Sequence, residues 1–394
     1  MNVQLRPRVR ALERRLPFEC VALVLQGGGA LGAYQGGVYE ALAEANIHPD
    51  WAAGISIGAI NGAIIAGNAP NDRVDRLREF WTHATSNAPW HWPSESVQDS
   101  ARGDDIRNFL NQMSAGWAMA CGAAGFFSAR PVTPWLQPGG TLAATSFYDT
   151  KDLKHTLERL VDFDRLNAGI TRFSAGAVNV RTGNFVYFDS ETHIIRPEHV
   201  MASGALPPSF PAIEIDGEQY WDGGLMSNTP LEWIIEYGRE HDHEQDTLAF
   251  QVDLWSSRGQ LPRNIADVVT RVKEIQFSSR TRASTDHFKR VQRIRRAIDA
   301  LLRDLHEDLR ENDEVQILKT VASRKVYNIV QLIYRAQNYE GHAKDYEFSR
   351  LSMQDHWRAG YHDAVRTLRH PEVLARPRSL DGVLTFDLER DGRE

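Results

Sequence analysis

The chain has 394 residues and a formal net charge of −7, from 45 Lys and Arg against 52 Asp and Glu. Its 42% hydrophobic and 25% charged residues are ordinary for a globular protein, and the length is enough to bury a sizeable core without disulfide or metal staples. The mild acidity argues against gripping nucleic acid with the whole surface, and the two cysteines, Cys20 and Cys121, fit no metal or redox spacing and read as small buried hydrophobes in a reducing compartment.

At the start, Arg6, Arg8, Arg10, Arg14 and Arg15 precede a short apolar run at 21–25. This imitates a secretory signal, but so short a core with Glu19 beside it does not make one. Residues 1–19 read instead as a basic arm. No stretch is apolar for long enough to span a bilayer, so the expected location is the cytoplasm.

Residues 20–26, CVALVLQ, form a continuous apolar run of the kind found in buried parallel strands. Gly27, Gly28 and Gly29 follow as a tight loop. The segment AYQGGVYEALAEAN then places Val38, Leu42 and Ala45 at helical spacing, and Asn46 and Pro49 close it. WAAGIS predicts a second strand and IGAINGAIIAG a helix of small residues. Two strand–glycine turn–helix units in succession argue for an α/β sheet that continues parallel.

Residues 84–147 break this rhythm. Trp90, Trp92, Trp117, Phe126, Phe127 and Trp135 fall here, and 111–129 carry no charge. The segment reads as an insertion that forms an aromatic cap over the sheet. Regular units resume with a helix near 151–161, a strand pair FSAGAVNV and FVYF joined at Thr182-Gly183-Asn184, and a loop ending in PPSFP. IEIDGEQYWD at 213–222 is a hairpin turning at Asp216-Gly217, and LAFQVDLW is a further strand.

From about Pro262 to His370 the chain reads as helical and highly charged. Between Arg271 and Arg296 lie Lys273, Arg280, Arg282, Lys289, Arg290, Arg293 and Arg295, while Phe288, Val291, Ile294, Ile298, Leu301 and Leu305 recur at helical spacing. A basic amphipathic helix either lies on an anionic membrane surface or packs its apolar stripe on the neighbouring domain. Packing is the expectation adopted. The run VYNIVQLIYRAQNYEGHAKDYEFS reads as a strand or buried helix followed by a loop that packs on or covers the site. The organisation expected is therefore an arm at 1–19, an α/β domain at 20–255 with its insertion at 84–147, and a mostly helical region at 256–394.

Three glycine-flanked motifs carry chemistry. Gly27-Gly28-Gly29-Ala30-Leu31-Gly32 lies between a strand and a helix, where bare backbone amides and the helix N-terminus suit a phosphate or an oxyanion. Gly54-Ile55-Ser56-Ile57-Gly58 occupies the same kind of junction and has the form of a nucleophile elbow. By chance a G-x-S-x-G arises on the order of once in ten chains of this length, so its strand–helix context gives it its weight. Asp222-Gly223-Gly224 ends the hairpin, where a carboxylate can serve as the base a serine nucleophile needs. In isolation such an Asp-Gly pair is more often a simple turn.

The first motif also satisfies G-x-G-x-x-G, with Asp50 about 20 residues on, so a dinucleotide-binding protein is the competing reading. Asp50 precedes its strand rather than ending it, and that reading leaves Ser56 and Asp222 without a role. A catalytic triad would need one of the 14 histidines, among them His193, His199, His241 and His243, none of which stands in a motif.

The segments QGGGALGAYQGGVYEAL, GISIGAINGA and SGALPPSFPAIEIDGEQYWDGGLMSNTP, in this order across roughly 20–255, resemble the bacterial patatin-like phospholipases. The resemblance implies a layered α/β hydrolase with a central, mostly parallel sheet, here with an aromatic cap and a helical C-terminal extension. It implies Ser56 as nucleophile and Asp222 as general base in a dyad without histidine. The oxyanion hole would come from the loop of Gly27, Gly28 and Gly29 with Ile57, and Gly32, Gly54, Gly58, Gly223 and Gly224 would be motif glycines. Where the family's glycine loop often carries a basic residue, this chain has Leu31. The implied activity is hydrolysis of a carboxylic ester in a lipid-like substrate, with no metal or cofactor and no nucleic-acid partner. Peripheral contact with an anionic membrane surface rests on the basic helical region alone and is the less favoured reading of it; the alternative function is a nucleotide- or lipid-binding protein using the GxGxxG loop without hydrolysis.

Overall fold

A computed structural model describes residues 16–87, 104–240, 245–278, 281–306, 309, 312–336, 340–341 and 343–388. Trp90, Trp92, His241, His243 and the arginines of the arm lie outside the described residues.

The first apolar run is β1 (Cys20–Leu25), buried along its whole length, and the glycine loop leads through a 3-10 turn (Gly29–Gly32) into α1 (Ala33–Glu44). The second unit is β2 (Trp51–Ile55) and α2 (Ile57–Ala66), followed by α3 (Arg73–Ala84). The insertion contains α4 (Asp104–Cys121) and a small antiparallel pair, β3 (Ser128–Ala129) with β4 (Tyr148–Asp149). Then come α5 (Lys151–Leu160), α6 (Phe163–Asn167), β5 (Arg172–Asn179), β6 (Phe185–Asp189) and α7 (Pro197–Ser203). The predicted hairpin is β7 (Ile213–Ile215) and β8 (Glu218–Asp222), and Asp216 and Gly217 both take the positive φ its tight turn demands. α8 (Leu231–Glu240) and β9 (Thr247–Asp253) complete the part expected to be α/β.

The C-terminal region is not only helical. After α9 (Ile265–Phe277), α10 (Thr281–Arg303) and α11 (Asp313–Val321) comes β10 (Tyr327–Ile333), then α12 (Arg350–Leu368) and β11 (Val383–Phe386). Among the described residues the main sheet has nine strands in the order β11-β10-β9-β1-β2-β5-β8-β7, with β6 also beside β5. The strands from β11 to β5 run parallel and β6, β7 and β8 pair antiparallel. The sheet thus continues across residue 255, where composition alone suggested a boundary. The signal for β10 is the apolar alternation-free run YNIVQLI, buried up to its last residue like the other interior strands.

α12 seals this junction against the first helix. A Cβ at Gly37 would lie 1.8 Å from the Trp357 carbonyl oxygen, and one at Gly360 would lie 2.0 Å from that of Tyr34, so α1 and α12 touch backbone to backbone. Tyr34 and Tyr361 then bond Asp363 and Glu44 across the contact.

At the opposite side of the sheet, Arg172 donates to Asp189 at 2.8 Å and lies 3.8 Å over the Trp51 ring. The fully buried Asp189 also accepts from Ser174 and Trp233.

Three expectations change. α10 packs its apolar stripe only in part: Phe288 is buried and Val291, Ile298 and Leu305 are half-buried, with Gln292 and Arg295 buried beside Phe288, whereas Ile294 and Leu301 are exposed. Phe288 finds the Tyr327 ring at the sheet edge, and Gln292 satisfies the Lys325 carbonyl, so the polar residues serve the loop before β10. The aromatic insertion divides likewise, with Phe126 and Phe127 buried but Trp117 and Trp135 exposed. Finally, Cys20 is buried, which pushes its thiol up to about 12, while Cys121 is exposed at the end of α4.

Candidate active site

Ser56 stands between β2 and α2 with φ 56 and ψ −124, a conformation costly for a residue with a side chain. The turn needs its two glycines. A Cβ at Gly54 would lie 2.3 Å from the Gly58 carbonyl, and one at Gly58 would lie 2.2 Å from the Leu25 carbonyl oxygen. The strained elbow is held from behind by Ser203, whose hydroxyl accepts from the Ser56 amide at 3.0 Å and donates to the Gly176 carbonyl at 2.7 Å.

β5 brings the aspartate to the serine. β2 leaves β5 at the pair Ile55–Gly176, and β8 takes up the same edge at Asp222–Ala177, one residue farther along. The Gly224 amide donates to Asp222 Oδ1 at 2.7 Å, and both this amide and the nearby Ser56 side chain favour the charged carboxylate. Asp222 is only 2% exposed, and burial pushes its carboxyl up to about 7 despite these two influences.

The glycine loop runs past both residues. Its first amides have no acceptor within the 3-10 turn they open, but the Gly27 amide is engaged by Asn228 Oδ1 at 3.2 Å. Gly27, Gly28 and Gly29 all line the cavity, and of the three Asn228 occupies the amide of Gly27. Asn228 also donates to the carbonyls of Gly27 and Phe277. Gln26 accepts from the amides of Leu254 and Trp255 and donates to Thr229 and the Phe277 carbonyl. Farther along, Asn61 secures the Gly32 carbonyl and is itself held by Trp81.

A cavity of about 70 Å³ is lined by Gly28, Gly29, Ser56, Ile57 and Asp222, with Phe126, Phe127 and Phe210 on one wall. Trp255 lines it at the expected boundary, and Phe277, Asp345, Tyr346 and Phe348 line it from beyond. Phe127 meets Phe210 at 5.2 Å between ring centres and Phe348 at 5.8 Å, so cap and C-terminal loop share one aromatic wall.

Among the described residues no histidine lines the cavity. His199 is the N3 residue of α7, where Nδ1 accepts from the Arg196 amide and burial drives its pKa down to about 4. His193 packs edge-on against Phe188. Asp50, the acid of the dinucleotide reading, receives the Val21 amide at the far end of β1 and β2 from the glycine loop. It cannot meet a ligand held by that loop.

These motifs, in these positions, match a known family model. The patatin-like phospholipase model covers residues 23–233. The chain belongs to the patatin-like phospholipase family. A second model, described as patatin phospholipase, covers 275–380 and so takes in α10, α11, β10 and α12. The chain is 55% identical over 58 residues to "Lysophospholipase nte1" of Aspergillus terreus, covering 15% of this chain and 4% of that one. It is 51% identical over 70 residues to "Patatin-like phospholipase domain-containing protein 7" of Rattus norvegicus, covering 18% and 5%. An NTE family protein of Mycobacterium tuberculosis is 42% identical over 71 residues, covering 18% and 12%. The chain therefore matches only a small part of these curated relatives, which come from fungi and animals as well as bacteria. Among solved structures, VipD from Legionella pneumophila is similar at a TM-score of 0.39 and 17% identity, covering 96% of this patatin-like chain and 74% of VipD.

Sequence reasoning assigned no role to Ser203, Asn228 or Gln26. All three lie inside segments quoted above, but nothing in their spacing says that they bond the elbow and the loop. Only the pairing of β2, β5 and β8 does.

Proposed function

We propose that this chain hydrolyses carboxylic esters of lipids, with Ser56 as nucleophile and Asp222 as the base. The observation that carries the reading is the strained Ser56 and the buried Asp222 carboxylate standing together at the wall of one aromatic cavity.

In this mechanism Ser56 Oγ attacks the ester carbonyl carbon and Asp222 takes the hydroxyl proton. The carbonyl π electrons move to oxygen, and the amides of Gly28, Gly29 and Ile57 donate to that oxyanion; each such donor typically contributes about 2.7–4 kcal/mol to lowering the barrier. Collapse expels the alkoxide, which leaves as the alcohol with the proton from Asp222. Water then attacks the acyl-serine, again giving its proton to Asp222, and collapse returns Ser56 and releases the acid. A carboxyl raised to about 7 suits both roles, since it is neither a feeble base nor permanently protonated near neutrality. The apolar wall of Phe126, Phe127 and Phe210 favours an acyl chain over a polar acyl group.

The test is hydrolysis of chromogenic esters of short and long acyl chains by wild type, Ser56→Ala and Asp222→Asn. The expected result is background rate for Ser56→Ala and a loss of about 10²–10⁴-fold for Asp222→Asn. Equal rates in all three would refute the reading.

A further inference from the structure

α9 is amphipathic in the reverse of the usual sense. Ile265, Val268, Val269, Val272 and Ile275 recur at three- and four-residue steps and are between 41% and 78% exposed, and the helix buries none of its residues. A surface helix ordinarily turns such a stripe inward. Here the polar side faces the protein. Arg271 bonds Glu274 and the carbonyl of Ser257, Lys273 bonds both oxygens of Asp345 at 2.9 Å, and Glu274 bonds Lys344 at 2.9 Å.

Those last two ion pairs reach into the candidate site. Lys344, Asp345 and Tyr346 form a short strap whose Asp345 carbonyl oxygen lies 2.3 Å from where a Cβ on Gly29 would stand, so the strap sits on the glycine loop. Tyr346 ties it to the other wall through Ser209 at 2.8 Å. With the strap in place the cavity holds about 70 Å³, against roughly 300–1,000 Å³ for a typical small-molecule pocket. The strap narrows the cavity where it sits on the glycine loop.

The apolar surface also joins the site. Phe277 ends α9 and lines the cavity, and Asn228 bonds its carbonyl, which sets the turn bearing the exposed Leu225 and Met226 beside it. At the other end of the stripe Arg258 is exposed and Arg263 is exposed beside its partner Asp267, which leaves that flank net positive, as on helices that lie in an anionic interface.

We propose that the outward stripe of α9 docks on an anionic lipid surface and, through its two ion pairs, draws the strap 344–346 off the glycine loop to open the cavity. The opening step rests on the ester-hydrolase reading for its purpose; the docking does not. The stripe is the contact, Lys273 and Glu274 are the linkage, and the strap is what the linkage moves.

The experiment uses the full chain with vesicles of phosphatidylglycerol and phosphatidylcholine, and with phosphatidylcholine alone. Ser56→Ala should sediment with the anionic vesicles, and adding Val268→Asp and Val272→Asp should cut the bound fraction at least tenfold. Both valines are exposed, so the triple variant should keep its unfolding midpoint. Hydrogen exchange at 343–348 in Ser56→Ala should quicken when anionic vesicles are added and not in the triple variant. In chains with Ser56 intact, vesicles should speed hydrolysis of a soluble p-nitrophenyl ester several-fold, while Val268→Asp/Val272→Asp keeps the vesicle-free rate and loses the increase. Equal sedimentation of both Ser56→Ala chains overturns the docking, as does a dimer that buries α9. Unchanged exchange at 343–348 on bound vesicles overturns the opening. A wild type inert to every ester refutes the hydrolase reading, while sedimentation and exchange still decide this one.

Discussion

Asp222 faces Ser56 because β8 takes the edge of β5 where β2 lets it go, between Gly176 and Ala177. The two residues are far apart in the chain, and one antiparallel strand added to a parallel sheet joins them. Both residues line one cavity, where the serine lies close enough to favour the charged carboxylate, and among the described residues no histidine lines it with them.

That placement fixes a pH dependence. Asp222 accepts a proton only when ionised, and burial sets its midpoint at about 7. The kcat/KM for an uncharged ester should therefore rise with pH, with a midpoint near 7, and level off above it. A profile that stays flat down to about pH 5 would contradict the assignment.

The same burial should cost stability, and the sign is opposite to that of a paired carboxylate. An unfolded Asp titrates near 3.9, so between about pH 4 and about pH 7 the native chain holds a proton that the unfolded chain releases. Stability falls as pH rises through that window, and the penalty is complete above it. Asp222→Asn removes the penalty. Urea unfolding should find the variant more stable by up to a few kcal/mol near pH 8, with the gap closing toward pH 4. A gap independent of pH would count against the raised carboxyl.

Ser203→Ala should damage the elbow without touching substrate. It deprives the Ser56 amide and the Gly176 carbonyl of their shared partner, which is fully buried. The expected cost is about 1–3 kcal/mol in denaturant unfolding. Because the strained Ser56 loses its brace, kcat should fall at least tenfold with little change in KM. Ser203→Thr, which keeps the hydroxyl, should recover part of the rate.

Far from the cavity, Asp189→Ala should be purely a stability mutation. It takes the fully buried carboxylate from the Arg172 guanidinium and leaves it only the more exposed Glu191, and removing one member of a buried pair costs about 3–5 kcal/mol, the upper bound here. Thermal unfolding should fall steeply, while the specific activity of the folded fraction should stay near wild type. A selective loss of activity would tie this cluster to the site.

Much of this was legible because it is local. The run CVALVLQ, the turn at Asp216-Gly217 and the strand–helix junctions of Gly27 and Ser56 each reveal themselves within about ten residues. β10 was half-legible, since an apolar run of seven residues fits a strand or a buried helix until its partner is known. The edge of the α/β unit was not legible, because composition changes at 255 while hydrogen bonding does not. Nor was the inverted α9, whose periodicity is that of any amphipathic helix; only its ion pairs to Lys344 and Asp345 say which face points in. The commitment of the Gly27 amide likewise depends on Asn228, some 200 residues away.

The most direct test of the central claim is labelling with a fluorophosphonate probe, followed by mass-spectrometric mapping of the modified peptide. The account predicts a single adduct on Ser56 in wild type, none in Ser56→Ala, and labelling slowed by about 10²-fold or more in Asp222→Asn. An adduct on another serine, or equal labelling rates with and without the Asp222 carboxylate, would contradict it.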